Sequence, residues 1–498
     1  MSPRSSRRAA PLAMAGPSSD APPVKGTPHV ALNTVVQIAG RAVGAVVGLV
    51  QVAILSHYLH SRGFGEYSYV LSVIGIGAIF ADLGLNVVTV RRLSEQDAGA
   101  RAQALGAVLV ARAALACLVV IACDGFAFAS PLDTPTRNGI LLMSALYVAT
   151  VPASVGSIFQ AELELQYPIA VNSLQSLLGL AVTAVLVAAH ASLLPLLGGQ
   201  LVAATLGATA TYQVVRTHYR LSIRPRLSAG MRILGEALPV GIGQALVVLY
   251  FRIDAVLLGI LRGPVDVAHY TAAYRFVDLA NFGVGAFMAS AFPVMVRVYQ
   301  GSGPAQLVRI YQALFEIVLI AAIPLTIAWV ILARPIIFLV FPADFGPAVT
   351  ALAILAFTLV PLFLNNLLGT LVLTLHRERT FNWIALGALI LNLTLNLIFI
   401  PRSGIIAAAV MTVVAEAFVT ACAIVVMWKV IRHVPSVRGL VSPAFAGMLM
   451  IPAVYALRGY WVAAAVAGAL VYAGVTRVLG VWSWHELRRV AQSTWTGS

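Results

Sequence analysis

Charge is scarce in this chain: Asp, Glu, Lys and Arg make up 10% of its 498 residues. A soluble domain carries about 25%, so an ordinary water-exposed globular fold is excluded. Acidic residues are the scarcer kind, 18 against 32 basic ones, for a formal net charge of +14. The basic residues fall in short stretches between apolar blocks and not along one face, which argues against a nucleic-acid partner. Cysteine is rare too. Cys117, Cys123 and Cys422 all lie inside apolar stretches and form no CxxC, which supports neither a disulfide framework nor a zinc site. Catalytic and cofactor motifs are missing as well. Gly75-x-Gly77 follows no strand of a βαβ unit, and His485-Glu486 lacks the second histidine of a zinc protease motif. No cofactor, resident metal or catalytic residue is expected, and the chain does not read as an enzyme.

Apolar residues dominate instead, at 60%, with a mean hydropathy of +0.92. They come in blocks of about 20 or more, long enough to cross a hydrocarbon layer about 30 Å thick. The expected fold is an all-α integral membrane protein of about fourteen transmembrane helices. The spans are expected at 31–56, 66–90, 103–123, 138–158, 169–189, 193–215, 234–260, 267–293, 306–332, 347–374, 381–400, 404–431, 440–457 and 460–480. Residues 1–28, rich in Ser, Pro and Arg, lack a signal-peptide core and read as a disordered basic tail on the cytoplasmic side.

The basic residues test this topology. With the N-terminus inside, 22 of the 32 fall in tails or inner loops, among them Arg91, Arg92, Arg101, Arg216, Arg226 and Lys429. Six fall in outer loops, and four, Arg41, Arg112, Arg252 and Arg275, lie inside helices. That bias obeys the positive-inside rule over fourteen alternating segments.

The chain also resembles itself at a spacing of about 203 residues. AILSHYLHSRGFGEYSYVLSV from Ala53 parallels AVLLGILRGPVDVAHYTAAYRF from Ala255, with Tyr67 and Tyr270 each opening a helix after a Gly or Pro loop. Six helices per copy is an even number, so the halves share one orientation as a parallel repeat. The expected divisions are a six-helix bundle at 29–216, a basic linker at 217–233 and a second bundle at 234–432. Two peripheral helices at 433–482 and a cytoplasmic tail at 483–498 complete the chain.

Four stretches carry a resemblance to a known family. They are LSHYLHSRGFGEYSYVLSVIGIGAIFADLGLNVVTVRRLS from Leu55, ALPVGIGQALVVLYFRIDAVLLGIL from Ala237, ARPIIFLVFPADFGPAVTALAIL from Ala333 and LNLTLNLIFIPRSGIIAAAVMTVVAE from Leu391. In this order and spacing the chain resembles the bacterial oligosaccharide flippases of the polysaccharide biosynthesis family, in the multidrug/oligosaccharidyl-lipid/polysaccharide exporter superfamily. Phe341-Pro342 stands where relatives usually have a Gly. The resemblance implies two six-helix bundles in a pseudo-twofold arrangement around a central cavity, plus two peripheral helices. It also implies flipping of a polyprenyl-diphosphate-linked oligosaccharide across the inner membrane, alongside polysaccharide polymerase and glycosyltransferase machinery.

Ionisable groups at bilayer depth cost about 2.5–3.5 kcal/mol on insertion scales, so each needs a reason. Asn33, Gln37, Arg41, Gly44 and Gly48 share one face of the first helix. Read functionally, that stripe faces an aqueous cavity. Read structurally, Gly44 and Gly48 form a packing GxxxG pair, which leaves Arg41 unexplained. Asp82 would pair with Arg41 or Arg112. Arg252 would reach outer headgroups, and Arg275 and Asp278, three apart, would neutralise each other. Glu236 and Asp254 share a face five turns, about 27 Å, apart. Asn392 and Asn396, one turn apart, would bind sugar hydroxyls or bridge helices. The substrate-binding candidates are therefore Arg41, Arg112, Arg252, Arg275, Asn33, Gln37, Asn392 and Asn396. The ion-coupling candidates are Asp82, Glu236, Asp254, Asp278, Glu316 and Glu416. A small-molecule antiporter is the alternative; it would line its cavity with carboxylates and aromatics and not with arginines. A membrane-embedded polymerase or ligase fits less well, since the longest outer loop, about 124–137, leaves little room for a folded site.

Overall fold

The fold is described from a computed structural model, over residues 27–95, 98–220, 226–302, 304–375, 377–431 and 437–480. These residues form helices and connecting turns, with no strand among them. Eleven helices are long and apolar enough to cross a membrane, or twelve with the bent pair Thr134–Ala149 and Val151–Ala161 taken as one span. Two of these, Ala42–Ser94 and Arg379–Val430, run for 53 and 52 residues. At 1.5 Å per residue each is about 80 Å long, more than twice a hydrocarbon core, so each holds two crossings. The architecture is consistent with fourteen crossings.

The breaks have identifiable causes. α1 (Thr27–Asp82) is interrupted at His60, whose φ is 53° and ψ −173°. It ends where Leu83 and Gly84 turn left-handed, at φ 40° and 79°, before α2 (Leu85–Ser94). The second expected span, 66–90, is therefore not one continuous helix. Positive φ is easily met by glycine and strains leucine. α3 (Ala98–Ala129) is unbroken, whereas the fourth span divides into α4 (Thr134–Ala149), a 3₁₀ turn at Val151–Gly156 and α5 (Ser157–Ala161). Pro152 removes a helix donor there. α6 (Gln166–Ala188), α7 (Leu193–Tyr219), α8 (Leu227–Leu261), α9 (Pro264–Ser302) and α10 (Pro304–Val340) follow. A second interrupted span follows, α11 (Gly346–Leu355), a 3₁₀ turn and α12 (Leu359–Thr374), with Pro361 in the first turn of α12. α13 (Glu378–Ile431) reverses at Gly404, with φ 51°. α14 (Val437–Ala456) and α15 (Trp461–Val478) pack on each other and on α10 through Leu332, Ala446, Met450, Val454 and Tyr472.

Large apolar side chains such as Trp383, Ile121, Leu174 and Val185 are exposed around the outside, as expected of surfaces solvated by acyl chains. The two repeats meet at both ends. At the end bearing His60 and Gly404, Phe64 packs edge-on against Phe341 and Phe345, with ring centroids 5.9 and 5.6 Å away. All three rings are buried, and the Ser61 N–H donates to Asp344 Oδ2 at 2.7 Å. Gly65 lies so close to the Pro264 carbonyl that a Cβ would meet its oxygen. One continuous apolar core runs through both repeats here, from Leu55 and Tyr69 to Leu258, Ile337 and Ala408, so this end is shut. At the basic end the contact is smaller. Gly84 and Leu83 touch Gly241 backbone to backbone, and Arg92 pairs with Glu236 from the other repeat. Between the two contacts lies a cavity of about 770 Å³, walled by Ile79 of α1, Gln244 and Val247 of α8, Leu373 of α12 and Asn382 of α13.

Candidate functional site

The intramembrane charges divide into pairs and unpaired groups. Arg112 of α3 pairs with Asp82 of α1. Arg252 of α8 lies 3.8 Å from Asp278 of α9. That corrects two expectations: Arg252 is ion-paired and does not extend to headgroups, and it takes the carboxylate expected to neutralise Arg275. An α8–α9 approach across the helix pair brings them together, which spacing along one helix does not reveal. Both pairs remain partly accessible, with side-chain exposures of 23% and 20% for Arg112 and Asp82 and 46% and 34% for Arg252 and Asp278.

Arg275 is half-buried and has no carboxylate within 4 Å among the described residues. It lies within electrostatic reach of Tyr67 in the first repeat and of Asp278. It is thus an incompletely compensated cation where α1 packs on α9. Glu236 forms a two-point fork with Arg92, Nε to Oε2 at 3.1 Å and Nη2 to Oε1. Glu316 is half-buried on α10 and has a partner of its own. The side chains of Asn33, Gln37 and Arg41 lie outside the described residues. Among the described residues no arginine lines the 770 Å³ cavity.

The second repeat holds a different arrangement. Asp254 of α8 is 2% exposed, with no basic group within ion-pair distance among the described residues. The Tyr270 hydroxyl donates to its Oδ2 at 2.9 Å, and Asn396 Nδ2 donates to its Oδ1 at 2.7 Å. The Thr412 hydroxyl lies 2.9 Å from Oδ2 and 2.9 Å from the Ala408 carbonyl oxygen. Asn396 Nδ2 also reaches Asn392 Oδ1 at 2.8 Å, while Asn396 Oδ1 is buried without a donor. The two asparagines thus bridge helices to Asp254. Three donors thus meet the carboxylate, the Tyr270 and Thr412 hydroxyls and the Asn396 amide, with the Asn392 Oδ1 and the Ala408 carbonyl oxygen as further acceptors beside them. A lone buried carboxylate costs several kcal/mol unless neutralised. Hard oxygen donors with a single negative charge suit a proton or an alkali cation. No group of three or more His, Cys, Asp and Glu occurs among the described residues, so the cluster lacks the charge of a transition-metal site.

Glu416 of α13 is the second buried carboxylate, also 2% exposed. Asn365 Nδ2 donates to its Oε2 at 2.7 Å, and the Thr420 hydroxyl donates to Asn365 Oδ1 at 2.8 Å. It lines a cavity of about 320 Å³ with Tyr250, Asn281, Asn366 and Phe381. Sequence reasoning singled out Asp254, Asn392, Asn396 and Glu416 but missed Tyr270, Thr412 and Asn365 as their partners, and Tyr250 beside Glu416. The only signal was spacing: Tyr250 stands one turn before Asp254, and Thr412 one turn before Glu416.

The family model described as polysaccharide biosynthesis protein matches residues 30–299, more than half of the chain. The chain belongs to that family. The MatE family model matches residues 239–398. No curated protein matches. Among solved structures, lipid II flippase MurJ in an inward closed conformation is similar at a TM-score of 0.75 and 15% identity, covering 90% of this chain and 98% of that one. An inward-facing multidrug resistance MATE family transporter is similar at 0.61 and 15% identity, covering 78% and 94%. A MOP superfamily transporter from Pyrococcus furiosus Vc1 is similar at 0.58 and 15% identity, covering 82% and 96%. At such identities the likeness shows the fold, and that fold is the one expected from the sequence. The relatives are transporters and not enzymes, and this family member is a multi-pass membrane protein built as they are.

Proposed function

We infer that this protein flips a polyprenyl-diphosphate-linked oligosaccharide across the bacterial inner membrane by alternating access, for exopolysaccharide, capsule or O-antigen assembly. The observation that carries the reading is the match to the polysaccharide biosynthesis family over residues 30–299. The geometry supports it. Two repeats meet at an extensive apolar seal at one end and a smaller contact at the other, beside a cavity of about 770 Å³, which is what rocking of one half against the other needs. With both termini in the cytoplasm, the end at Phe64 and Phe345 faces outward, and the conformer is shut on that side. The six-helix bundles at 29–216 and 234–432 are the two rocking bodies, and 433–482 flanks them. Polymerase and glycosyltransferase machinery would supply and consume the glycan.

In this mechanism Arg275 attracts the diphosphate, because among the described residues it is an intramembrane cation without a full counter-charge. The Arg112–Asp82 and Arg252–Asp278 pairs are accessible enough to exchange partners as phosphate passes. Asp254 holds the coupling charge, a proton or alkali cation, among the oxygens of Tyr270, Asn392, Asn396 and Thr412. Reconstituted vesicles with labelled polyprenyl-diphosphate oligosaccharide test this, with outward exposure scored by an external glycosidase. Arg275→Ala is expected to slow flipping about tenfold, equivalent to about 1.4 kcal/mol, with Arg275→Lys in between. Wild-type rates in both variants would remove Arg275 from the path.

One observation favours a cation-coupled small-molecule antiporter as second reading: aromatic residues and Glu416, without arginine, line the 320 Å³ cavity. The same vesicles loaded with a fluorescent organic cation decide between them. Efflux of the dye without glycan flipping would select the antiporter.

A further inference from the structure

Two helices of the second repeat present matching pairs of groups one turn apart. On α8 these are Tyr250 and Asp254; on α13 they are Thr412 and Glu416. Asp254 meets Thr412 at 2.9 Å, and Tyr250 and Glu416 line one cavity a turn nearer the basic end. The carboxylates therefore sit at neighbouring levels, about 6 Å apart along the helix axes. Each is 2% exposed. The charged and titratable groups within electrostatic range of Glu416 are Asp254, Tyr250 and Tyr274, all acidic or neutral. Among the described residues no Lys, Arg or His lines its cavity. A single cation at Asp254 would leave Glu416 as a second buried, uncompensated anion, which a low-dielectric interior does not tolerate.

The cavity supplies what a cation needs. Besides Glu416 it is lined by Asn281, Asn365, Asn366 and Thr370. The Tyr250 hydroxyl, on a residue 7% exposed, lines this space beside the Glu416 carboxylate, the polar group with which it interacts. The cavity of about 320 Å³ borders the 770 Å³ cavity, with Val247, Gly369, Leu373 and Phe381 lining both. Glu416 thus lies on the side of the inter-repeat cavity, with Asp254 one turn deeper. Its 2% exposure and short bond to Asn365 leave room at the carboxylate for a proton or a bare ion, not for an organic cation.

We propose that the Glu416 cavity is a second binding site for a single positive charge, borne by a proton or an alkali cation, distinct from the Asp254 cluster and loaded from the inter-repeat cavity. The transport cycle then carries two charges. This rests on the transporter reading above.

The full-length protein in nanodiscs tests it without flipping activity. Infrared difference spectra between mildly alkaline and mildly acidic conditions report the carboxyl C=O stretch of groups that take a proton. Sodium-22 binding under alkaline conditions reports groups that take an alkali cation. Glu416→Gln is expected to halve the signal of whichever ion is used, and Asp254→Asn to remove the other half. A lost carboxyl band identifies the proton, and a halved sodium stoichiometry the alkali cation. Glu416→Asp keeps the charge on a shorter arm and is expected to retain the site with at least threefold weaker binding, so misfolding of the Gln variant is recognised. Wild-type carboxyl bands and sodium stoichiometry in folded Glu416→Gln would overturn the second site. Loss in Glu416→Gln with none in Asp254→Asn would uphold it while removing Asp254 from coupling.

Discussion

Replacing Asp254 separates its charge from its hydrogen bonds. Asp254→Ala removes the acceptor of Tyr270, Thr412 and Asn396 at once. An orphaned buried donor costs about 1–3 kcal/mol. Thr412 has the Ala408 carbonyl at 2.9 Å, Asn396 has Asn392 Oδ1 at 2.8 Å and Tyr270 has the Thr412 hydroxyl at 2.9 Å as alternatives, so no donor is left fully orphaned. With the lost packing, about 1–3 kcal/mol of destabilisation is expected. Asp254→Asn keeps the shape and one acceptor oxygen and removes the charge, so it should lose less than about 1 kcal/mol. The assay is thermal unfolding of the purified protein in detergent, repeated over a sodium chloride or pH series. A ligand at a hundred times its Kd stabilises the native state by about 2.7 kcal/mol. That cation-dependent rise in Tm should be present in wild type and clearly reduced in Asp254→Asn. Equal destabilisation by Asn and Ala, or an undiminished cation response in Asp254→Asn, would refute the reasoning.

Arg92 and Glu236 join the repeats at the basic end, but with Arg92 23% and Glu236 40% exposed the pair is worth about 0.5–1 kcal/mol. Arg92→Gln and Glu236→Gln should each open that end two- to fivefold, read as distance populations between spin labels, and the swapped double variant should restore closure. Gly65→Ala places a Cβ against the Pro264 carbonyl, so the far end should loosen. A cysteine placed at Phe341, itself 1% exposed, should then react faster with a membrane-impermeant thiol reagent, and an unchanged rate would argue against this seal. Reversing Arg112 and Asp82 together should preserve folding, whereas Asp82→Asn alone should strand a half-buried arginine and lower Tm by a few degrees, as about 1 kcal/mol does in a chain of this class.

Hydropathy determined by itself that this chain is an all-helical membrane bundle, because acyl chains admit no unsatisfied backbone and the helix is the local answer. The isolated intramembrane residues were equally legible: Asp254, Glu416, Asn392 and Asn396 stand out in any apolar block. Their partners were not. Asp254 and Thr412 are 158 residues apart, as are no neighbours on a helix wheel, yet they lie 2.9 Å from each other. Spacing paired Arg275 with Asp278, but helix packing gave Asp278 to Arg252. The left-handed turn at Leu83 and Gly84, which breaks an otherwise regular apolar run, is fixed by its backbone contact with Gly241 in the other repeat. Burial of a residue type is a local property of the chain. Which charges neutralise one another, and which are left to hold a ligand, depends on distances between helices, and only the tertiary structure supplies those.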